Sequence, residues 1–168
     1  MAAITKMIIG IALLVNWSGP GTHLYAQPAG VNWLSFAQLE DSMRAKPKKI
    51  LVQVYTDWCS YCKLVERKTF KNPEVAQYLN GHFYAVALNA EGEQTVRFAG
   101  QRFGFNATGN GTGIHSLALA LAGQKGPVAY PSIVILDEQY TIINRQTGFV
   151  APRQLLHSLR QAQSSGNE

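Results

Sequence analysis

Two cysteines three positions apart, Cys59 and Cys62, are the residues of this sequence best suited to chemistry. They follow an apolar, β-branched run at 50–55 that predicts a buried strand, and they open a predicted helix. Unpaired N–H groups and the dipole at a helix start favour a thiolate, which lowers the pKa of the first cysteine below the free value of ~8.5. Because a thiolate is the attacking species in disulfide exchange, the spacing predicts Cys59 as nucleophile and Cys62 as resolving thiol.

Three other uses of the pair fit the sequence less well. A disulfide closing so short a loop constrains the unfolded chain little, so bracing is a poor use. The histidines available as further metal ligands have no zinc-finger spacing. Haem attachment requires a histidine directly after the second cysteine, where this chain has Lys63. We therefore predict redox chemistry with no metal and no cofactor beyond a redox-active Cys59–Cys62 disulfide.

Composition limits the class of protein. The chain has 168 residues, of which 46% are hydrophobic and 15% charged, as in a folded globular protein. The net charge is +5, and the excess is scattered except at Lys46, Lys48 and Lys49. We interpret that patch as a solvated loop and predict no nucleic-acid partner and a monomer.

The first residues have the three-part form of a secretory signal peptide. Lys6 supplies a positive charge, residues 7–15 form an apolar run, and Ala26 precedes a plausible cleavage point. A buried N-terminal helix is the alternative. We predict a signal peptide at 1–26, one domain at 27–163 and a flexible tail at 164–168. A protein with this leader would be periplasmic or secreted, where disulfides persist.

The domain alternates predicted strands and helices. Asn72-Pro73 predicts a helix start, and Gly81 predicts the end of that helix as a left-handed cap. The remaining predictions are helices at 33–44, within 57–70, at 114–122 and at 152–163, strands at 50–55, 83–88, 132–136 and 141–144, and loop with some helix at 91–113. This order predicts a three-layer α/β fold with a central mixed sheet.

Several stretches carry a resemblance to a known family. They are YTDWCSYCK at 55–63, Glu66, TFKNPEV at 69–75 and Tyr130-Pro131-Ser132 before a strand. Over roughly residues 33–163 the chain resembles the thioredoxin-like fold family, of the secreted type related to the C-terminal domain of transmembrane thiol–disulfide reductases. The resemblance makes the glycine-rich residues from 91 to about 122 an insert before the proline loop.

The resemblance implies a cis peptide between Tyr130 and Pro131, in a loop that lies against the cysteines. In the family the backbone before this proline pairs with the substrate chain like an added strand. Tyr130 and Pro131 are therefore candidate substrate-binding residues, as are Trp58, Ser60 and Tyr61. The alternatives are a trans proline at a strand start and half-buried packing of Trp58.

The sequence departs from the family at the position six residues before the first cysteine. Many thioredoxins have a buried acid there, whereas this chain has Gln53, which cannot accept a proton from the resolving thiol. Glu66, four residues past Cys62 and on the same helical side, is a possible proton relay. The alternative is a solvated glutamate. For His115 the alternatives are an approach to the site through the insert and a surface position at a helix start, and we favour the surface position.

The leading hypothesis is an extracytoplasmic thiol–disulfide oxidoreductase that acts on protein disulfides. By resemblance the direction is reductive, with electrons from a membrane thiol relay. A disulfide oxidase or isomerase, and a binding module without essential redox turnover, are the alternatives. Phe98, Phe103 and Phe105 in the insert either anchor it to the core or contact a partner.

Overall fold

The computed structural model describes residues 30–109, 111–123 and 126–164. The predicted signal peptide at 1–26 and residues 165–168 of the predicted tail lie outside this part. Ser164, which the prediction assigned to the tail at 164–168, belongs to the last helix. Within the described residues, no helix has the length and apolar character needed to cross a membrane.

A five-stranded mixed sheet forms the centre of the fold. Its strands are β1 (Trp33–Leu34), β2 (Lys49–Tyr55), β3 (Phe83–Asn89), β8 (Ser132–Leu136) and β9 (Ile142–Thr147). Their order is β1-β3-β2-β8-β9. The first three run parallel, β8 is antiparallel to β2, and β9 is antiparallel to β8. The predicted mixed sheet is thereby confirmed.

Helices cover both faces of this sheet. They are α1 (Phe36–Ala45), α2 (Ser60–Val65), which continues as a π-helical turn at Glu66–Phe70, α3 (Pro73–His82), α4 (Ser116–Ala122) and α5 (Pro152–Ser164). On one face α1 and α4 pack against Val52 and Val134, and on the other α2, α3 and α5 pack against Leu51 and Ile133. Because strand side chains alternate between faces, Gln53 shares the α2 face with Leu51.

The start of α1 and the end of α3 differ from the prediction, as does the start of α4, because Ile114 and His115 belong to a strand. Trp33 and Leu34 pair with β3 instead of starting α1, because Ser35 and Gln38 form a capping box that begins the helix after them. Asn72 caps α3 as predicted, but Gly81 does not end it. The helix runs on to His82 and passes directly into β3, since Phe83 takes an extended conformation and is buried.

The segment between β3 and α4 contains two β-hairpins, so the prediction of loop with some helix at 91–113 is wrong. They pair β4 (Val96–Phe98) with β5 (Gln101–Phe103), and β6 (Phe105–Gly109) with β7 (Thr112–His115). In the second, a Cβ on Gly113 would lie 2.5 Å from the backbone carbonyl oxygen of Asn106, so the close approach of these strands requires glycine. These strands were not predicted because they are too short to show a clear alternation of apolar and polar residues.

The first hairpin is anchored to the core through Phe98. This ring is buried and meets Phe36 and Tyr140 edge-on, at centroid distances of 6.1 and 5.1 Å. Phe103 and Phe105 are half-buried. Of the two roles considered for Phe98, packing into the core is the one the structure supports.

Candidate functional site

Cys59 and Cys62 form a disulfide where β2 gives way to α2. Cys59 is the N-cap of α2, and its Sγ accepts a hydrogen bond of 3.0 Å from the backbone N–H of Cys62. Both cysteines are buried, at 5% and 3% relative exposure. The sulfur predicted as the nucleophile therefore lies against the unpaired N–H groups at a helix start, which stabilise negative charge.

A second loop, which precedes β8, lies against the loop that carries the cysteines. The Tyr130–Pro131 peptide bond is cis, and Pro131 is buried. The Pro131 carbonyl accepts a hydrogen bond of 2.8 Å from the N–H of Gly148, which follows β9. The Tyr130 ring stands edge-on to Trp58, with centroids 5.9 Å apart. The two loops are thus joined through Trp58 and Tyr130.

Exposed aromatic side chains lie in the cysteine loop and beside the proline loop. Trp58 is 65% exposed and Tyr61 63%, so half-buried packing of Trp58 is excluded. Ser60 is also exposed. Phe149, next to the Gly148 that bonds to Pro131, is exposed as well, and sequence reasoning missed it. It follows the edge strand β9, and only the pairing of β9 with β8 brings it beside the proline loop.

Glu91 is a second residue that sequence reasoning missed. Trp58 Nε1–H donates to the Glu91 carboxylate, with 3.0 Å to each oxygen. Burial, and secondarily the charge of Glu91, raise the pKa of Tyr130 above its ordinary value. One signal was available: Glu91 comes just after a predicted strand, and parallel strands bring their carboxyl ends to one edge.

Beneath the cysteines a cleft of about 470 Å³ opens on the α2 face. Its lining includes Cys62, Gln53, Thr56 and Glu66. Glu66 is half-buried at the start of the π-helical turn, and burial raises the pKa of its carboxyl, partly opposed by the charge of Lys71. The cleft brings together the resolving cysteine and the residue predicted as its proton relay.

Two buried polar side chains also line this cleft. Gln53 is 4% exposed and pairs in register with Ala87 and Ile133. The Thr56 hydroxyl is buried and has no hydrogen-bond partner among the described residues. Neither group ionises in the range where thiols exchange, whereas two carboxyls, Glu66 and Asp57, also line the cleft. Asp57 is exposed, so Glu66 is the half-buried carboxyl of this lining.

His115 is buried, so its interpretation as a surface residue is wrong. Its Nδ1 accepts a hydrogen bond of 3.1 Å from the N–H of Leu117 and caps α4, while Nε2 lies 3.1 Å from the Gln94 carbonyl. The backbone N–H of His115 donates to Ala90. The residue therefore fastens the end of the second hairpin to the end of β3.

The described residues contain no group of three or more His, Cys, Asp or Glu side chains arranged to hold a metal ion.

Comparisons with known proteins agree with this geometry. The family model described as "Thioredoxin-like domain" matches residues 36–163. Among curated proteins, the chain is 28% identical over 161 residues to the thiol:disulfide interchange protein DsbD of Cronobacter sakazakii, covering 89% of this chain and 24% of that protein. It is 34% identical over 71 residues to DsbD of Klebsiella pneumoniae, covering 40% of this chain and 12% of that one.

Solved structures share the fold. A thioredoxin from Thermus thermophilus superposes with a TM-score of 0.58 at 18% identity, covering 82% of this chain and 91% of that one. The DsbH oxidoreductase gives 0.50 at 15% identity, covering 88% and 93%. The chain belongs to the thioredoxin-like domain family and carries a Cys59–Cys62 disulfide at the start of α2.

Proposed function

We propose that this chain is an extracytoplasmic reductase of disulfides in protein substrates. The observation that carries the proposal is the position of the Cys59–Cys62 pair, at the N-cap of α2 and beside the Tyr130–Pro131 loop. An exchangeable disulfide next to a loop with an available backbone and exposed aromatic rings suits a polypeptide substrate.

The reaction begins with the reduced pair. The Cys59 thiolate attacks one sulfur of a substrate disulfide, a mixed disulfide forms, and the other substrate sulfur leaves as a thiolate. The backbone N–H of Cys62, which donates to Cys59 Sγ at 3.0 Å, supports negative charge on the attacking sulfur. This local donor acts together with the helix start to favour Cys59 over Cys62 as nucleophile.

The second step returns the pair to its disulfide. Cys62, as a thiolate, attacks Cys59 Sγ, the Cys59–Cys62 bond forms, and the second substrate sulfur departs and takes up a proton. Two electrons have then passed from the protein thiols to the substrate. Cys62 must lose its proton first, and we assign that proton to Glu66 across the shared cleft. The raised pKa of Glu66 makes it a stronger base than an ordinary exposed carboxylate.

Substrate binding is assigned to the surface around the disulfide. The backbone at Tyr130 pairs with the substrate chain, and Pro131 shapes the loop. Trp58, Ser60 and Tyr61 contact the residues that flank the substrate cysteine. The exposure of both aromatic rings supports this role, because large apolar side chains at a surface mark interaction sites when they cluster.

Location and electron source rest on sequence features and relatives. The leader at 1–26 supports a periplasmic or secreted protein. We also propose that the protein acts as a monomer. We assign the supply of electrons to a membrane thiol relay, as the resemblance to transmembrane thiol–disulfide reductases implies. The chain spans 12% and 24% of the length of the two DsbD relatives, and their similarity supports a thiol partner.

Reduction of insulin disulfides tests the proposal. We expect the purified protein to catalyse insulin reduction by dithiothreitol, and Cys59→Ser to abolish the catalysis. Ser42→Ala, a small change on α1 on the other face of the sheet, is the control and should retain full activity. Unchanged catalysis by Cys59→Ser would refute the proposed function.

A further inference from the structure

A carboxylate lies at the meeting point of the two loops that form the site. Glu91 lies two residues past the end of β3 and accepts a hydrogen bond from Trp58 Nε1–H, at 3.0 Å to each of its oxygens. Trp58 in turn touches Tyr130. Glu91 is therefore at the lip of the surface on which the substrate chain is proposed to lie.

The backbone around Glu91 is tightly held. The N–H of Ala90 donates to the Tyr55 carbonyl at 2.8 Å, and the N–H of His115 donates to the Ala90 carbonyl at 2.7 Å. The N–H of Glu91 itself donates to Asn89 Oδ1 at 3.0 Å. These bonds fix the start of the Glu91 side chain, so its charge is presented at a defined place.

The hydrogen bond from Trp58 leaves acceptor sites of the Glu91 carboxylate available. A carboxylate has about four acceptor sites, and one shared N–H leaves most of them available. Glu91 is exposed, so a charged group of a partner can approach it. The charge of Glu91 already acts on the Tyr130 side chain, whose pKa it helps to raise.

A second acidic residue is linked to Glu91 through Asn89. Asp57, in the cysteine loop, accepts a hydrogen bond of 3.0 Å from Asn89 Nδ2. The basic residues Lys63 and Arg67 line the cleft together with Asp57 and Glu66. The cleft thus holds charges of both signs, whereas Glu91 places a negative charge beside Trp58.

We propose that Glu91 is a specificity-determining residue that selects protein disulfides whose cysteine is flanked by lysine or arginine. This inference rests on the proposed function. A cationic side chain beside the reacting cysteine is attracted by the Glu91 carboxylate and stacks on the exposed Trp58 ring. An acidic side chain at the same place meets repulsion.

Two peptide disulfides test this inference. Each is a dimer of a short peptide with one cysteine, flanked on both sides by lysine in one peptide and by glutamate in the other. The purified protein is reduced beforehand, and single-turnover rate constants are measured at low salt. Each is divided by the rate constant with dithiothreitol, which corrects for the intrinsic reactivity of the peptide.

We expect the lysine peptide to react about fivefold faster than the glutamate peptide, a preference of the size that exposed charge pairs give. Glu91→Gln keeps an acceptor for Trp58 but removes the charge, and the preference should fall close to one. Glu93→Gln makes the same change two residues along, at another exposed position, and should retain the preference. Salt at 1 M should weaken it in the unmodified protein.

The possible failures are distinguishable. Equal preference in Glu91→Gln and the unmodified protein would overturn the role of Glu91, as would an equal loss in Glu93→Gln. A uniform fall in both rate constants with an unchanged ratio would show a structural role only and would also overturn it. Exchange with neither peptide would refute the proposed function itself.

Discussion

The Trp58 ring stands edge-on to the Tyr130 ring, with 5.9 Å between centroids and 89° between ring planes. This contact joins the cysteine loop to the proline loop, two segments more than seventy positions apart in sequence. Aromatic pairs in this geometry stabilise each other beyond their buried area. The pair gives the proposed substrate surface a fixed shape.

Removal of the Trp58 ring should therefore weaken substrate binding more than folding. For Trp58→Ala we expect the KM for a protein disulfide to rise roughly fivefold or more, because a contact residue at an interface is lost. Thermal unfolding should change little, since the ring is 65% exposed. Leu119→Ala, an exposed apolar residue on α4, is the control, and its KM should not change. An unaltered KM in Trp58→Ala would contradict the assigned surface.

Glu66 should control the rate at which Cys62 resolves the mixed disulfide. A carboxylate accepts the proton only when ionised, so this rate should rise with pH through the raised pKa of Glu66. In Glu66→Gln we expect resolution at least about tenfold slower, with that pH-dependent rise lost. Stopped-flow measurement of the resolution step across pH checks both. A normal rate and profile in Glu66→Gln would exclude Glu66 as the relay.

The raised pKa of the Glu66 carboxyl also determines how this residue affects the stability of the fold. Burial raises its pKa in the folded state, so between the unfolded and folded pKa the folded state binds more protons. The free energy of unfolding contributed by this group therefore falls as pH rises through that window. At neutral pH, Glu66→Gln should be as stable as the unmodified protein or more stable, as measured by urea unfolding. A clear loss of stability would contradict this assignment of the shift.

The buried Phe98 ring should matter more to folding than Phe105. Phe98 is 3% exposed and packs against the rings of Phe36 and Tyr140. We expect Phe98→Ala to lower the free energy of unfolding by about 3 kcal/mol or more, through loss of burial and creation of a cavity. Phe105→Ala, at a half-buried position, should cost less. Denaturant unfolding of both variants compares them, and an equal cost would show that Phe98 is no special anchor.

If the protein is a reductant, its disulfide should have a low reduction potential. We expect a value near about −270 mV, as in thioredoxin, and not near about −120 mV, as in a strong oxidant. Equilibration with glutathione or dithiothreitol buffers, followed by separation of the oxidised and reduced forms, gives the potential. A value near the upper figure would reverse the proposed direction and favour an oxidase.

The sequence predicted those parts of the site that are local along the chain. The strand before Cys59, the helix after it and the Asn72 cap are each specified within about ten residues, so short-range patterns were enough. The resemblance to thioredoxins also placed Gln53 at a buried position six residues before the first cysteine, and Gln53 is 4% exposed.

Other parts depend on contacts between distant segments. Glu91 and Phe149 reach the site only through the pairing of strands, and His115 is buried only because α4 and the second hairpin pack around it. The two hairpins are three to five residues per strand, with little alternation to mark them. Their pairing follows from turn positions such as Ala99 and Gly100, which have positive φ.

The mixed disulfide tests the central claim most directly. The account assigns attack to Cys59 and resolution to Cys62, so Cys62→Ser, mixed with an oxidised protein substrate, should accumulate a covalent complex through Cys59 that dithiothreitol releases. Cys59→Ser should form none under the same conditions. Mass spectrometry identifies the joined cysteines. A complex joined through Cys62 in Cys59→Ser, or none in Cys62→Ser, would contradict the assigned roles.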